Sequence, residues 1–310
     1  VVEGITYQFP ALKDIKEHIF VLKDYTLDNH FDPIFHKIIQ SINGQTLSTI
    51  AMHPGETQLW RLTNQSADFY FNLALKDHKF RVLSQDGVPR TKEIDVDKLK
   101  LGPAGRLDVL VAAGESGSYD LIAPGVVTGE DTNKTLDRTL ARVVVNGDAV
   151  NTAPLYLTYP TNAPDLKNAR ITKRREFSLT QDNVAQRFFI NKKTFDHARV
   201  DTRVPLGSTE EWTIRNDSDD MHVFHVHQVN FQVMSVSGKP QAFMGYVDTI
   251  RVPERSYVKI RIPFTNPLIV GTFMYHCHVL QHEDKGMMPN IEVYHPNGLK
   301  ENRAHRHLEH

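Results

Sequence analysis

One cysteine, Cys277, occurs in 310 residues, so no disulfide can form within the chain and cysteine pairing says nothing about an oxidising compartment. Charge of one sign is also lacking. The 36 Lys and Arg nearly cancel 37 Asp and Glu, which removes the electrostatic case for nucleic acid or an anionic membrane as partner. No run of about 18 apolar residues is present to span a bilayer. The start, Val-Val-Glu-Gly, lacks the charged and apolar regions of an export signal. The expectation is a soluble chain whose C-terminal 296–310 is a polar tail. It ends in Leu-Glu-His, like the start of an affinity tag, so His305, His307 and His310 carry no site argument.

What is present is β-structure. Short runs rich in Val, Ile, Phe and Tyr, such as Phe80 to Leu83 and Ile250 to Val252, alternate with Gly, Pro, Asn and Asp clusters. This predicts an all-β protein of sandwich type with little helix. The length suffices for two domains, and an internal repeat divides them. Gly55, Thr57, Trp60, Asn64 and Ser66 recur at constant offset as Gly207, Thr209, Trp212, Asn216 and Ser218. Further on, Phe80, Val82 and Ser84 recur as Phe231, Val233 and Ser235, with one residue deleted between the blocks. A period this long marks a duplicated domain, not a solenoid. The expected units are 1–150 and 173–295. Between them 151–172 is a linker in which Pro154, Pro160 and Pro164 suit an extended surface course.

Two clusters carry chemistry: His222, His225 and His227 in one, and His276, Cys277, His278, His282, Glu283, Met287 and Met288 in the other. On a strand, side chains alternate faces, so His225 and His227 point one way, and His276 and His278 share a face that Cys277 does not. Two metal environments follow. Cys277, His282, Met287 and His222 supply a thiolate, two imidazoles and a thioether, the His₂Cys set with weak axial Met of blue copper sites; zinc sites more often have more sulfur and no methionine. His225, His227, His276 and His278 make an all-imidazole group suited to copper that meets oxygen. The bland alternative is that an isolated His-x-His pair, or a buried lone cysteine, only packs a core. The concentration of six histidines, one cysteine and one methionine into two clusters weighs against it. His18, His30, His36, His53, His78, His197 and His295 are scattered and read as surface or satisfied loop residues. In the first copy the aligned residues Tyr70, Leu73 and Leu75 replace His222, His225 and His227, so that copy reads as scaffold without ligands.

At these clusters the sequence resembles the multicopper oxidases, especially bacterial three-domain laccases and cuprous oxidases. The His222-Val-Phe-His225-Val-His227 segment is similar to their His-Pro-x-His-x-His motif, with Val223 in place of proline. His276-Cys277-His278 through Met288 is similar to their last motif. The resemblance covers the whole chain, with Met52 to Gly87 like the family's second, copper-free domain and Gln186 to Tyr294 like its third. It implies two tandem cupredoxin-like Greek-key sandwiches. By position it makes His222, Cys277 and His282 type 1 copper ligands with Met287 axial, His225 a type 2 ligand, and His227, His276 and His278 type 3 ligands. It further implies one-electron oxidation of a phenolic or metal-ion reductant, dioxygen reduced to water at a trinuclear cluster, a periplasmic or extracellular location, and Glu283 as proton donor with a raised pKa. A solvated charge run, Glu283-Asp284-Lys285, is the competing reading of that loop.

The family also draws two His-x-His motifs from an N-terminal domain, and none precedes His222 here. The expectation is that this first domain is missing or supplied by another chain, leaving half of the trinuclear ligands. A blue copper electron carrier and a copper nitrite reductase are the competing functions. The latter places its type 1 ligands in its first domain, unlike this chain.

Overall fold

The computed structural model describes residues 4–25, 39–129, 136–150, 155–160 and 162–296. His30, His36, Pro154 and the histidines of the tail lie outside the described residues. Alternating burial along the strands, as in Phe71–Leu75 and Ser256–Phe264, buries one face of each strand and builds two pairs of sheets. A seven-stranded and a five-stranded sheet enclose one core, centred on Trp60, Phe71 and Leu73. A six-stranded and a five-stranded sheet enclose the other, centred on Trp212, Phe224 and Tyr275. Among the described residues helix is confined to short pieces such as Ile5–Gln8 and Leu280–Asp284.

The duplication extends to pairing. In each half a strand entering the larger sheet runs parallel to the Trp-bearing strand: Lys16–Tyr25 beside Thr57–Asn64, and Lys173–Asp182 beside Ser208–Asn216. Both indoles are fully buried, and each donates to the side chain two residues earlier, Gln58 (3.1 Å) or Glu210 (2.8 Å). A buried carboxylate must be paired to be tolerated, and Arg175 supplies the pair, reaching both oxygens of Glu210 at 2.6 and 2.9 Å.

Burial corrects one part of the repeat alignment. In the first half Phe71, Leu73 and Leu75 point inward, and in the second His222, Phe224 and Val226 do. The single-residue deletion therefore falls before this strand. The caps agree: Asn64 donates to the carbonyls of Phe69 and Leu101, and Asn216 to those of Asp220 and Val252. The residues standing where His222, His225 and His227 would be are thus Phe71, Ala74 and Lys76, not Tyr70, Leu73 and Leu75. The first half still lacks the ligands. A one-residue slip exchanges the faces of a strand, which sequence matching across a gap cannot detect.

The segment 155–160 has no regular secondary structure. Leu155, Leu157 and Tyr159 lie on an apolar patch of Ile5, Phe9, Leu12, Leu59, Leu83 and Leu110, while Tyr156 faces solvent.

Candidate metal centre

His222 opens the strand His222–Val226 and Cys277 ends the antiparallel strand Gly271–Cys277, with Phe224 opposite Cys277 in the register. His282 comes from the helix Leu280–Asp284 just beyond. The Cys277 Sγ lies 3.5 Å from His222 Nδ1 and 3.6 Å from His282 Nδ1, and the two nitrogens are 3.0 Å apart. The centre of that triangle is about 2.0 Å from each corner, close to the bond lengths of first-row metals to imidazole and thiolate. All three side chains are buried, at 0, 0 and 5 % exposure for His222, Cys277 and His282.

Second contacts orient these donors. His222 Nε2 meets Ser218 Oγ at 2.8 Å, and Ser218 Oγ donates to Asn216 Oδ1 at 2.6 Å. That chain places the imidazole proton on Nε2 and leaves the Nδ1 lone pair facing the cysteine. His282 stacks on Phe188, ring centres 4.1 Å apart. The loop carrying Met287 folds back through Cys277 N–H to Met287 O and Met287 N–H to His282 O, at 3.1 and 3.0 Å. Gly286 makes this turn possible at φ +118, where a Cβ would lie 2.8 Å from Thr194. Met287 is fully buried in the same core as Cys277, whereas Met288 is only partly buried.

Burial keeps the ion-free donors neutral. It pulls His222 down to about 3 and His282 well below its usual range, and pushes the Cys277 thiol up to about 12 against backbone hydrogen bonds from Val279 and Val223. Neutral imidazoles are ready donors. The thiol would have to release its proton to solvent as a cation binds, and the resulting thiolate would then offset part of the cation's charge.

On the opposite face His225 pairs directly with His276 across the strands. The rings of His225, His227, His276 and His278 form one group with neighbouring centres 4.9–5.3 Å apart. His227 Nε2 and His276 Nε2 are 2.9 Å apart. Nitrogens of His225, His227 and His276 lie within 4.8 Å of one another; His278 joins by its ring without entering that tighter set. The Asp248 carbonyl meets His225 Nδ1 at 2.8 Å, and His276 Nδ1 meets Cys277 O at 3.0 Å and Glu283 Oε2 at 3.1 Å. Burial, reinforced by the neighbouring His276, lowers His225 to about 3 and His278 to about 4.

Glu283 sits in the short helix, half-buried against His276, so the competing picture of a freely solvated loop charge does not describe it. Its expected raised pKa is corrected. Burial does push the carboxyl up, but the His276 hydrogen bond and the surrounding imidazoles outweigh it and hold Glu283 below its ordinary value. A cleft of about 500 Å³ between the halves reaches His278 and Glu283 past Lys23, Gln65 and Arg106.

Sequence reasoning missed the contribution of the first half. Arg106 binds the Asp248 carboxylate at 2.5 Å, and buried Asp86 accepts from Thr249 Oγ1 at 3.0 Å, so the segment whose carbonyl orients His225 is held from the other half. No spacing marks such residues. Ser218 did carry a signal as a repeated position, read there only as scaffold. His18, His53 and His78 stay outside both clusters: His18 stacks on Phe20, and His53 and His78 meet the Asp148 and Lys76 carbonyls.

Residues 168–297 and 17–150 match two family models, each described as multicopper oxidase. The chain belongs to the multicopper oxidase family. It is 28 % identical over 259 residues to the multicopper oxidase mco of Staphylococcus aureus, covering 81 % of this chain and 51 % of that protein. It is 25 % identical over 284 residues to a Bacillus subtilis laccase, covering 83 % and 54 %. Among solved structures, a Campylobacter jejuni multicopper oxidase described as a metallo-oxidase superposes with a TM-score of 0.79 at 27 % identity, over 92 % of this chain and 65 % of that one. The chain thus spans about half the length of these curated relatives. Its cupredoxin fold is that of the multicopper oxidases, and membership of the family implies copper.

Proposed function

We propose that this chain is the copper-bearing C-terminal portion of a laccase-like oxidase, taking electrons singly from a phenolic or metal-ion reductant and delivering them to dioxygen. The observation that carries the reading is the buried triangle of His222 Nδ1, His282 Nδ1 and Cys277 Sγ, whose centre is about 2.0 Å from each donor. With Met287 as weak axial neighbour, this is a donor set for type 1 copper. His225 as a type 2 ligand, and His227, His276 and His278 as type 3 ligands, would serve the oxygen-reducing trinuclear site. Copper supplies the one-electron redox chemistry at both places; the residues supply geometry, path and protons.

The path is short because Cys277 and His276 are consecutive, and the His276 Nδ1 contact to the Cys277 carbonyl adds a hydrogen-bonded link beside the covalent one. Glu283 Oε2, at 3.1 Å from His276 Nδ1 and bordering the cleft, holds the position of a proton relay between solvent and the imidazole group. Glu283→Gln should leave blue colour and reduction of the type 1 site intact while slowing oxygen turnover in the completed enzyme; slowing of both equally would exclude the role.

Four imidazoles cannot close a three-copper site. We infer that 1–150 and 173–295 act as the family's second and third domains, and that a further cupredoxin domain, upstream or on another chain, brings two His-x-His segments to the open side of the cluster. No helix of the described residues is long and apolar enough to cross a membrane, and the resemblance favours a periplasmic or extracellular setting.

The test is copper loading. The Cu(II) chain should be blue with about one tightly held copper, further copper being removed by chelators, and Cys277→Ser should be colourless. A colourless wild-type complex would refute the assignment. Oxygen consumption with a phenolic or cuprous donor, once the missing ligands are restored, separates an oxidase from a blue copper electron carrier.

A further inference from the structure

The duplication places a second set of matched residues in the seam between the halves. Asn72 pairs with Lys100 across two strands of the first half, and Val223 pairs with Arg251 at the equivalent position of the second. The halves meet so that Lys100 and Arg251 both line the same two adjoining cavities, of about 220 and 370 Å³. No Asp or Glu lines either one.

Arg251 is half-buried. Its Cγ lies 3.5 Å from where a Cβ of Gly102 would be, so the stem packs against the other half. Among the described residues no hydrogen bond or ion pair reaches its guanidinium. Burial pulls its pKa down, opposed by Tyr70, yet a guanidinium does not discharge in a protein. Drawing such a cation partly out of water without a counter-ion carries a cost. In the larger cavity Asn72 Oδ1 is buried with no hydrogen-bond partner; as an acceptor it calls for a donor and takes no part in holding an anion. The remaining walls there, Val126, Met221, Val236, Ile250 and Pro253, are apolar. Two cations among largely hydrocarbon walls fit an anion with an apolar body better than a fully hydrated inorganic ion, which would leave those walls wet.

We propose that the seam is a binding site for a small organic carboxylate, its anionic head held between Arg251 and Lys100 and its apolar body lying against Val126, Met221 and Ile250. The guanidinium fork takes a carboxylate in two parallel hydrogen bonds, and the ammonium of Lys100 adds a point charge. Because the head touches both halves, the ligand fastens them together. The site is independent of the copper reading, since neither cation belongs to the two histidine clusters.

The experiment is titration of the full chain, metal-free and copper-loaded, with sodium benzoate, with sodium phosphate and with sodium chloride at equal ionic strength, read by calorimetry and thermal unfolding. Benzoate should bind saturably at one per chain and raise the unfolding midpoint by about 3 °C at tenfold excess over Kd. Arg251→Met should abolish this, and Lys100→Met should weaken it by about tenfold. An equal shift with chloride would reduce the effect to screening and overturn the site. Binding of phosphate without benzoate would overturn the organic class. If Arg251→Met fails to fold, Lys100→Met decides, because Lys100 is exposed: an unchanged benzoate affinity in it overturns the proposal.

Discussion

The two halves share a strand order and a buried Trp on a parallel pair, and differ in what stands on one strand and its neighbour. Where the second half has His222, the first has Phe71, and where the second has Cys277, the first has Ala123, since Leu121 opposes Leu75 as Tyr275 opposes Val226. The Asn-x-Ser cap is present in both. In the second half Ser218 Oγ meets His222; in the first, Ser66 Oγ is buried without a hydrogen-bond partner. The same backbone thus holds either a hydrocarbon core or the candidate metal pocket, and the first half keeps the serine without an imidazole for it to meet. The first half contributes in another way, by fixing the Asp248–Thr249 segment through Arg106 and Asp86.

The sharpest break of this comparison is His222→Phe, which puts the first half's residue into the second. Phe71 shows that the fold accepts the ring at this position, so circular dichroism should be unchanged while blue absorption disappears entirely. Persisting colour would mean that His222 is not a ligand.

Next in size is the contrast at the tryptophans. Arg175→Met leaves Glu210 buried and unpaired and should cost about 3–5 kcal/mol in denaturant unfolding. The first half places neutral Gln58 under Trp60 and has no such dependence. Glu210→Gln, copying the first half, should restore most of the loss, and a failure to do so would mean that packing, not charge, is at issue.

Acid should separate the halves as well. Unfolded imidazoles take protons near pH 6.5, but in the metal-free fold His222 and His225 do so only near 3 and His278 near 4. Between these limits the unfolded state binds more protons, so the second half loses stability as pH falls through about 6 to 4. Two carboxyls oppose this. Burial raises Asp24 in the first half and Asp248 in the second to about 6, and each adds stability on acidification. The net sign for the second half follows its more numerous histidines. Hydrogen exchange at pH 7 and 5 should show protection lost first in 173–295, and this asymmetry should shrink once copper is bound.

A smaller effect is expected at the paired serines. Ser218→Ala removes the contact that orients His222 and should weaken copper binding about 10- to 100-fold. Ser66→Ala removes a hydroxyl with no partner and should leave stability unchanged or slightly raised. Equal effects at both would remove the argument from Ser218. The smallest effect concerns the axial neighbour: Met287→Leu should raise the reduction potential with colour retained, while Met288→Leu, at a partly buried position, should not shift it.

The sequence by itself determined the all-β class, the duplication and the partition of the candidate donors between two faces, because side-chain alternation along a strand and recurrence of Gly, Trp, Asn and Ser are local properties of the chain. It also marked His222, Cys277, His282 and Met287 as one set, since that combination of donors has few other uses. Only the tertiary structure decided the rest. The residue opposite each ligand in the first half depended on where a gap fell, and a shift of one residue is invisible until burial shows which face is inside. The sign of the Glu283 shift depended on how near His276 comes, because burial and hydrogen bonding pull a carboxyl in opposite directions and the balance is set by distance. Arg106 and Asp86 reach Asp248 and Thr249 from 142 and 163 residues away along the chain, and Lys100 and Arg251 line the same cavities only because two copies of one fold pack across a seam, so these juxtapositions exist only in the folded chain.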